Sequence, residues 1–120
     1  MDSSKRKKKS QEVIPMVKLL SIFGLRPGVD PEETYKHWLG KHGSWVKEKV
    51  LPEAKRYITN RVVHKFGETD IYGVAEIWFD DLESAQRAIG RLGSAQPDEF
   101  ISKLITPPMR ILVQEKDIEL

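Results

Sequence analysis

The 120-residue chain contains no cysteine. Disulfide scaffolds, thiolate nucleophiles and cysteine-rich metal sites are therefore excluded. No apolar run approaches the ~20 residues of a membrane helix, and the first residues are polar where a secretory signal would be apolar. A cytoplasmic protein with no membrane partner is expected. GxSxG and Walker sequences are absent, as are internal repeats. Histidine is scarce, with only His37, His42 and His64. Charge of one sign is also lacking over most of the chain. The net charge of +2 comes from Lys5, Arg6, Lys7, Lys8 and Lys9, opposed locally by Asp2 and Glu12, and the rest is slightly acidic. Residues 1–15 are polar and aperiodic, so a disordered basic tail is expected there. Residues 16–120 are expected to form one domain. The tail would attract polyanions only through charge.

Strand and helix signals follow one another after the tail. Residues 17–24 are apolar and β-prone, and Arg26-Pro27-Gly28 ends them with turn chemistry. Asp30, Pro31 and Glu33 mark the start of a helix over 30–50 with a capping box, and Pro52 closes it. Strands are predicted over 54–65, with Tyr57, Thr59, Arg61 and Val63 on one side, and over 72–79. A second helix runs from Asp80 or Asp81 to about Leu92, with Leu82, Ala85, Ala88, Ile89 and Leu92 at helical spacing. Residues 97–104 suit one or two helical turns, and 109–115 a last strand. The order β-α-β-β-α-β predicts an α+β, ferredoxin-like fold: a four-stranded antiparallel sheet with both helices on one face.

His42 is the most informative side chain of the first helix. At 100° per residue it lies about 20° from Tyr35, on an arc with Trp38, Leu39, Val46 and Val50. An imidazole among apolar side chains must find a partner or face a cavity. Two readings stay open: a core histidine bonded to a backbone carbonyl, or a group facing a pocket. His37 projects to the opposite, polar face and reads as solvated, so the two histidines are not expected to chelate one metal. His64 reads as exposed. Gly40 and Gly43 are expected to bend or interrupt the helix near His42.

The strands are apolar on both faces. Leu20 and Ile22 oppose Leu19 and Phe23. Val74 and Trp78 oppose Ala75, Ile77 and Phe79. A half-exposed antiparallel sheet alternates apolar with polar residues instead. The uncovered face is expected to meet a second copy in a two-fold homodimer. Glu76 is expected on the Trp78 side, paired with Arg61 or Arg110.

The segment TYKHWLGKHGSWV, then Pro52, Tyr57 and Asn60, then YGVAEIWFDDLESAQRAI, resembles the EthD family of dimeric α/β-barrel proteins. The resemblance implies a homodimer with a small pocket between helices and sheet. Methylisomerase relatives carry a pocket histidine on the first helix and a tyrosine on the second strand, which match His42 and Tyr57. Cyclase relatives draw their acid–base pair from around the second helix, but residues 88–96 here hold neither Tyr nor His. The residue set of haem-degrading relatives is not recognisable, so no cofactor and no metal are expected. What the resemblance implies is cofactor-independent acid–base chemistry, of isomerase, lyase or cyclase type, on a small apolar or aromatic ligand. His42 would be the base or acid and Tyr57 a hydrogen-bond donor. Tyr35, Trp38, Leu19 or Leu20, Ile77 and Phe79 would form the wall. The alternative is a non-catalytic ligand-binding or accessory protein. The RNA-recognition motif shares this topology, but Val74, Glu76 and Ser21 stand where its stacking aromatics belong. No specific nucleic-acid partner is expected.

Overall fold

The computed structural model describes residues 15–120. The elements are β1 (Pro15–Gly24), α1 (Pro31–His37), a π-helical turn (Trp38–His42), α2 (Gly43–Val50), β2 (Ala54–Arg61), β3 (Ile71–Asp81), α3 (Leu82–Ser94), α4 (Glu99–Ser102) and β4 (Met109–Gln114). The disordered tail expected over 1–15 lies outside the described residues, except for Pro15, which opens β1. The strands form one antiparallel sheet in the order β2-β3-β1-β4, with the helices on one face. This is the ferredoxin-like α+β arrangement.

Register assigns each side chain to a face. Val17–Phe79, Leu19–Ile77 and Leu19–Leu112 are cross-strand pairs on the helix side. Val46 and Val50 of α2 and Ala85, Ala88 and Leu92 of α3 close over them. Trp38 packs with Phe23, Ala75, Ile101 and Ile105 in a second cluster. Gly73 lies directly beneath Trp38. A Cβ there would come within 2.7 Å of the indole, so the ring reaches the strand only because position 73 has no side chain.

The other face pairs Lys18 with Trp78, Leu20 with Glu76 and Ile111, and Ile22 with Val74 and Met109. Glu76 does not pair with Arg61 or Arg110, which lie on the helix side. It accepts from Lys18 Nζ at 2.8 Å and from Asn60 Nδ2 at 2.8 Å. The Trp78 ring carries the Lys18 and Arg56 cations, and its Nε1 donates to Glu115 at 2.8 Å.

Helix starts follow the cap chemistry. Asp30 accepts from the Glu32 N–H, and Asp81 from the Ser84 N–H. The return bond from Glu33 expected of a capping box is not formed among the described residues; Glu32 instead pairs with Arg61. β2 ends at Arg61, four residues sooner than its composition suggests. Val63 and Phe66 are exposed in the loop that follows.

Candidate functional site

The site begins with a fault in the first helix. Gly40 and Gly43 lower the local helix propensity, and the backbone widens there into the π-helical turn Trp38–His42. The Gly43 N–H reaches back five residues to the Trp38 carbonyl. A Cβ at Gly43 would sit 3.0 Å from that oxygen. In an α-helix, residues five apart project about 140° apart. A turn bonded from i to i+5 brings them to nearly the same side. His37 and His42 are five apart, and the turn aims both imidazoles at one carboxylate.

That carboxylate is Asp98. Its Oδ2 lies 3.0 Å from His37 Nε2 and 2.9 Å from His42 Nδ1. Its Oδ1 accepts from the N–H groups of Phe100 and Ile101, capping α4. His37 is therefore no solvated residue: its side chain is 11% exposed and its ring lies edge-on to Phe100. His42 finds a carboxylate, not a backbone carbonyl, and stacks on Trp45.

The charges follow from this packing. Burial opposes ionisation of Asp98. The bonds from His37, His42 and the Ile101 N–H outweigh it and hold the carboxyl below its usual range. An ionised carboxylate only accepts, so His42 donates through Nδ1–H. Burial lowers the His42 pKa. The Asp98 hydrogen bond and charge oppose this, while nearby His37 and Arg110 charge add to it. The neutral ring carries its lone pair on Nε2. That atom has no partner among the described residues, and no buried side-chain nitrogen or oxygen there lacks one. Nε2 is therefore solvent-reachable. His42 lines a cavity of about 340 Å³ with Trp45, Leu92, Ile101 and Ile105 among its walls.

The other expected site residues scatter. Tyr57 lines a separate cavity of about 280 Å³ with Trp38, Ser44, Lys47 and Thr59. Burial pushes its hydroxyl up to about 12, so the phenol stays protonated. The sheet order explains the separation. Tyr57 stands on outer strand β2, whereas the His42 cavity includes Arg110 of β4 at the opposite edge. Three strand spacings of about 4.8 Å intervene. Leu20 lies on the uncovered face of the sheet, and Leu19 takes the helix side. Ile77 and Phe79 are core side chains, and Tyr35 lies beneath the Arg61 guanidinium at 3.9 Å. Leu39, expected on the apolar arc, is half exposed. His64 is exposed, as its position at the end of the strand suggests. Among the described residues no group of three or more His, Cys, Asp or Glu side chains is placed to hold a metal ion.

Asp98 belongs to the candidate site, but the sequence does not mark it as a site residue. Pro97-Asp98-Glu99 carries a helix-start signal, so its capping role was legible. Its second oxygen serves residues 61 and 56 positions away. No local pattern encodes that contact.

A four-stranded antiparallel sheet with helices on one face defines the ferredoxin-like class, and here a carboxylate-bonded histidine lines a pocket on the helix side. The EthD domain model matches residues 26–101, and the chain belongs to that family. An EthD family protein from Bacillus halodurans C-125 is 26% identical over 84% of this chain and 99% of its own, with a TM-score of 0.63. SnoaB from Streptomyces nogalater, a cofactor-independent oxygenase, is 19% identical over 87% and 96%, with a TM-score of 0.59. A dimeric ferredoxin-like protein from an uncultured marine organism is 19% identical over 82% and 92%, with a TM-score of 0.58. No curated protein matches the chain. Among the described residues no helix is long and apolar enough to cross a membrane.

Replacing Asp98 separates its two tasks. Asp98→Asn retains a capping side chain but removes the charge that raises the His42 pKa. The His42 titration midpoint should therefore move further down, as read by NMR. Asp98→Ala should shift it similarly and also lose the α4 cap, worth about 1 kcal/mol. An unchanged midpoint in both variants would show that Asp98 does not govern His42.

Proposed function

We propose that the protein is a small-molecule enzyme doing cofactor-independent acid–base chemistry on an apolar or aromatic substrate. The observation that supports this most is the 2.9 Å bond from His42 Nδ1 to Asp98, made by a ring whose Nε2 is open beside a 340 Å³ cavity. Asp98 fixes the tautomer and orientation, and His37 helps hold the carboxylate ionised. Nε2 takes a proton from a carbon next to a substrate carbonyl. The C–H electron pair moves into an enolate, and the imidazolium returns the proton to another atom or to a leaving group. Isomerisation, elimination and cyclisation share that first step. The likeness to SnoaB favours a second fate for the same enolate, oxidation by dioxygen. Tyr57 enters this reading only if its cavity and that of His42 serve one ligand.

The first step can be tested without knowing the product. A panel of cyclic and aromatic ketones and lactones is incubated with the protein in D₂O, and loss of the α-proton signal is followed by NMR. At least one compound should exchange faster with protein than without. Binding without accelerated exchange across the panel would leave the accessory role in place of the enzymatic one.

We further infer a homodimer formed through the uncovered sheet face. Ile111 is 43% and Met109 55% exposed there, beside Leu20, Ile22 and Val74, and neighbours of the same fold are dimeric. Ile111→Asp should convert the dimer to a folded monomer by light scattering at micromolar concentration. A monomeric wild type would refute the interface.

A further inference from the structure

We propose that the His42 cavity takes a substrate with a carboxylate on a one- or two-ring apolar body, and that Arg110 is its anchor, with Arg26 beside it. This rests on the reading that the His42 cavity is the reaction site.

The wall chemistry is amphiphilic. Trp45, Leu92, Ile101 and Ile105 present apolar surface, while Arg26 and Arg110 add two guanidinium groups. Arg110 stands on β4 across from Ser21, on the helix side of the sheet, so it shares this cavity with His42. Elsewhere Arg61 is matched to Glu32, and Arg87 and Arg91 to Glu53, while Arg56 lies over the Trp78 ring. Among the described residues Arg26 and Arg110 form no such pair. Arg26 is held in place instead, its Nε donating to the Ser102 carbonyl at 2.8 Å. Its remaining N–H groups point to no protein acceptor among those residues. Asp98, the carboxylate in the same wall, has both oxygens engaged by two imidazoles and two backbone N–H groups. With Asp98 ionised, the two guanidinium groups still leave the wall net positive beside apolar surface.

Guanidinium binds carboxylate through paired, charge-assisted hydrogen bonds. A volume of about 340 Å³ lies at the small end of ligand pockets, which limits the body to one or two rings. Arg110 and His42 line the same cavity, so a carboxylate held at the guanidinium leaves the apolar body in the space His42 borders.

The test compares 2-naphthoate with 2-naphthamide, which share shape and differ in charge. The full chain is titrated with each while the His42 imidazole resonance is followed. Naphthoate should move that resonance and bind at least about tenfold more tightly, with the preference weakening as salt rises. Arg110→Met should remove most of the preference, Arg26→Met a smaller part, and Arg91→Met none. His42→Ala should keep the preference, read by calorimetry, because the anchor lies elsewhere. Equal binding of acid and amide to the wild type overturns the carboxylate assignment alone. So does a preference that survives loss of both Arg26 and Arg110. If neither probe perturbs His42, the cavity is not a ligand site and the functional reading falls with this one.

Discussion

Trp38→Ala is expected to cost about 3–5 kcal/mol of stability, the range for deleting a buried aromatic side chain. Trp38 is 1% exposed, the most deeply buried of the three tryptophans. Its ring meets Phe23 edge-on at 4.9 Å, with Tyr35 at 6.2 Å and Tyr72 at 6.4 Å. It fills the space that Gly73 leaves open, so no neighbouring side chain on that strand position can collapse into the void. At about 4–8 °C per kcal/mol for a domain of this size, the melting temperature should fall by more than 12 °C or so. Circular dichroism on heating measures it. A loss of only a few degrees would mean that the indole contributes little to the packing of the core.

His42→Ala should produce the largest functional loss and a small structural one. A positioned base contributes about 10²–10⁴-fold, so deuterium exchange of any compound the wild type processes should slow by that factor. The His42 side chain is 17% exposed and lines the cavity, and Asp98 keeps His37 as a partner. The melting temperature should therefore change much less than for Trp38→Ala. Exchange that persists in His42→Ala would assign the chemistry to another group. Acidity supplies an independent check. The His42 pKa is lowered on folding, so below about 6.5 the unfolded chain binds that proton more readily than the folded one. Stability should fall as pH drops through the window between 6.5 and the lower folded value. Asp98, also lowered, adds a further loss in more acidic solution below its ordinary 3.8. The neutral, basic form of His42 should persist to lower pH than a free imidazole allows, so the acid limb of activity should lie below 6.5.

The relation between chain and site is uneven, and particular residues show why. The β-α-β-β-α-β order was legible because each element announces itself locally: alternation in the strands, helical spacing of Ala85, Ala88 and Leu92, and Asp30 and Asp81 at the helix starts. His42 was legible as an imidazole on an otherwise apolar helix face. The place of His37 is not legible, because a uniform 100° rotation puts it on the far side. The two glycines flag a weak helix there, but no local rule says that the backbone widens instead of breaking. Tyr57 was grouped with His42 through a resemblance of sequence. The positions match, yet strand order places them beside different cavities.

By itself the sequence determined the elements, the apolar faces and the presence of one chemically conspicuous histidine, since those depend on spacing within a few residues. Tertiary structure alone decided that histidine's partner. A chain segment 56 residues downstream had to pack against α1 and the π-helical turn before Asp98 could hold His42. It also decided which edge of the sheet shares the cavity, and hence that Arg110, not Tyr57, faces the same space. Contacts of that kind arise from packing and from the order in which strands pair, and neither quantity is written in any local pattern of residues.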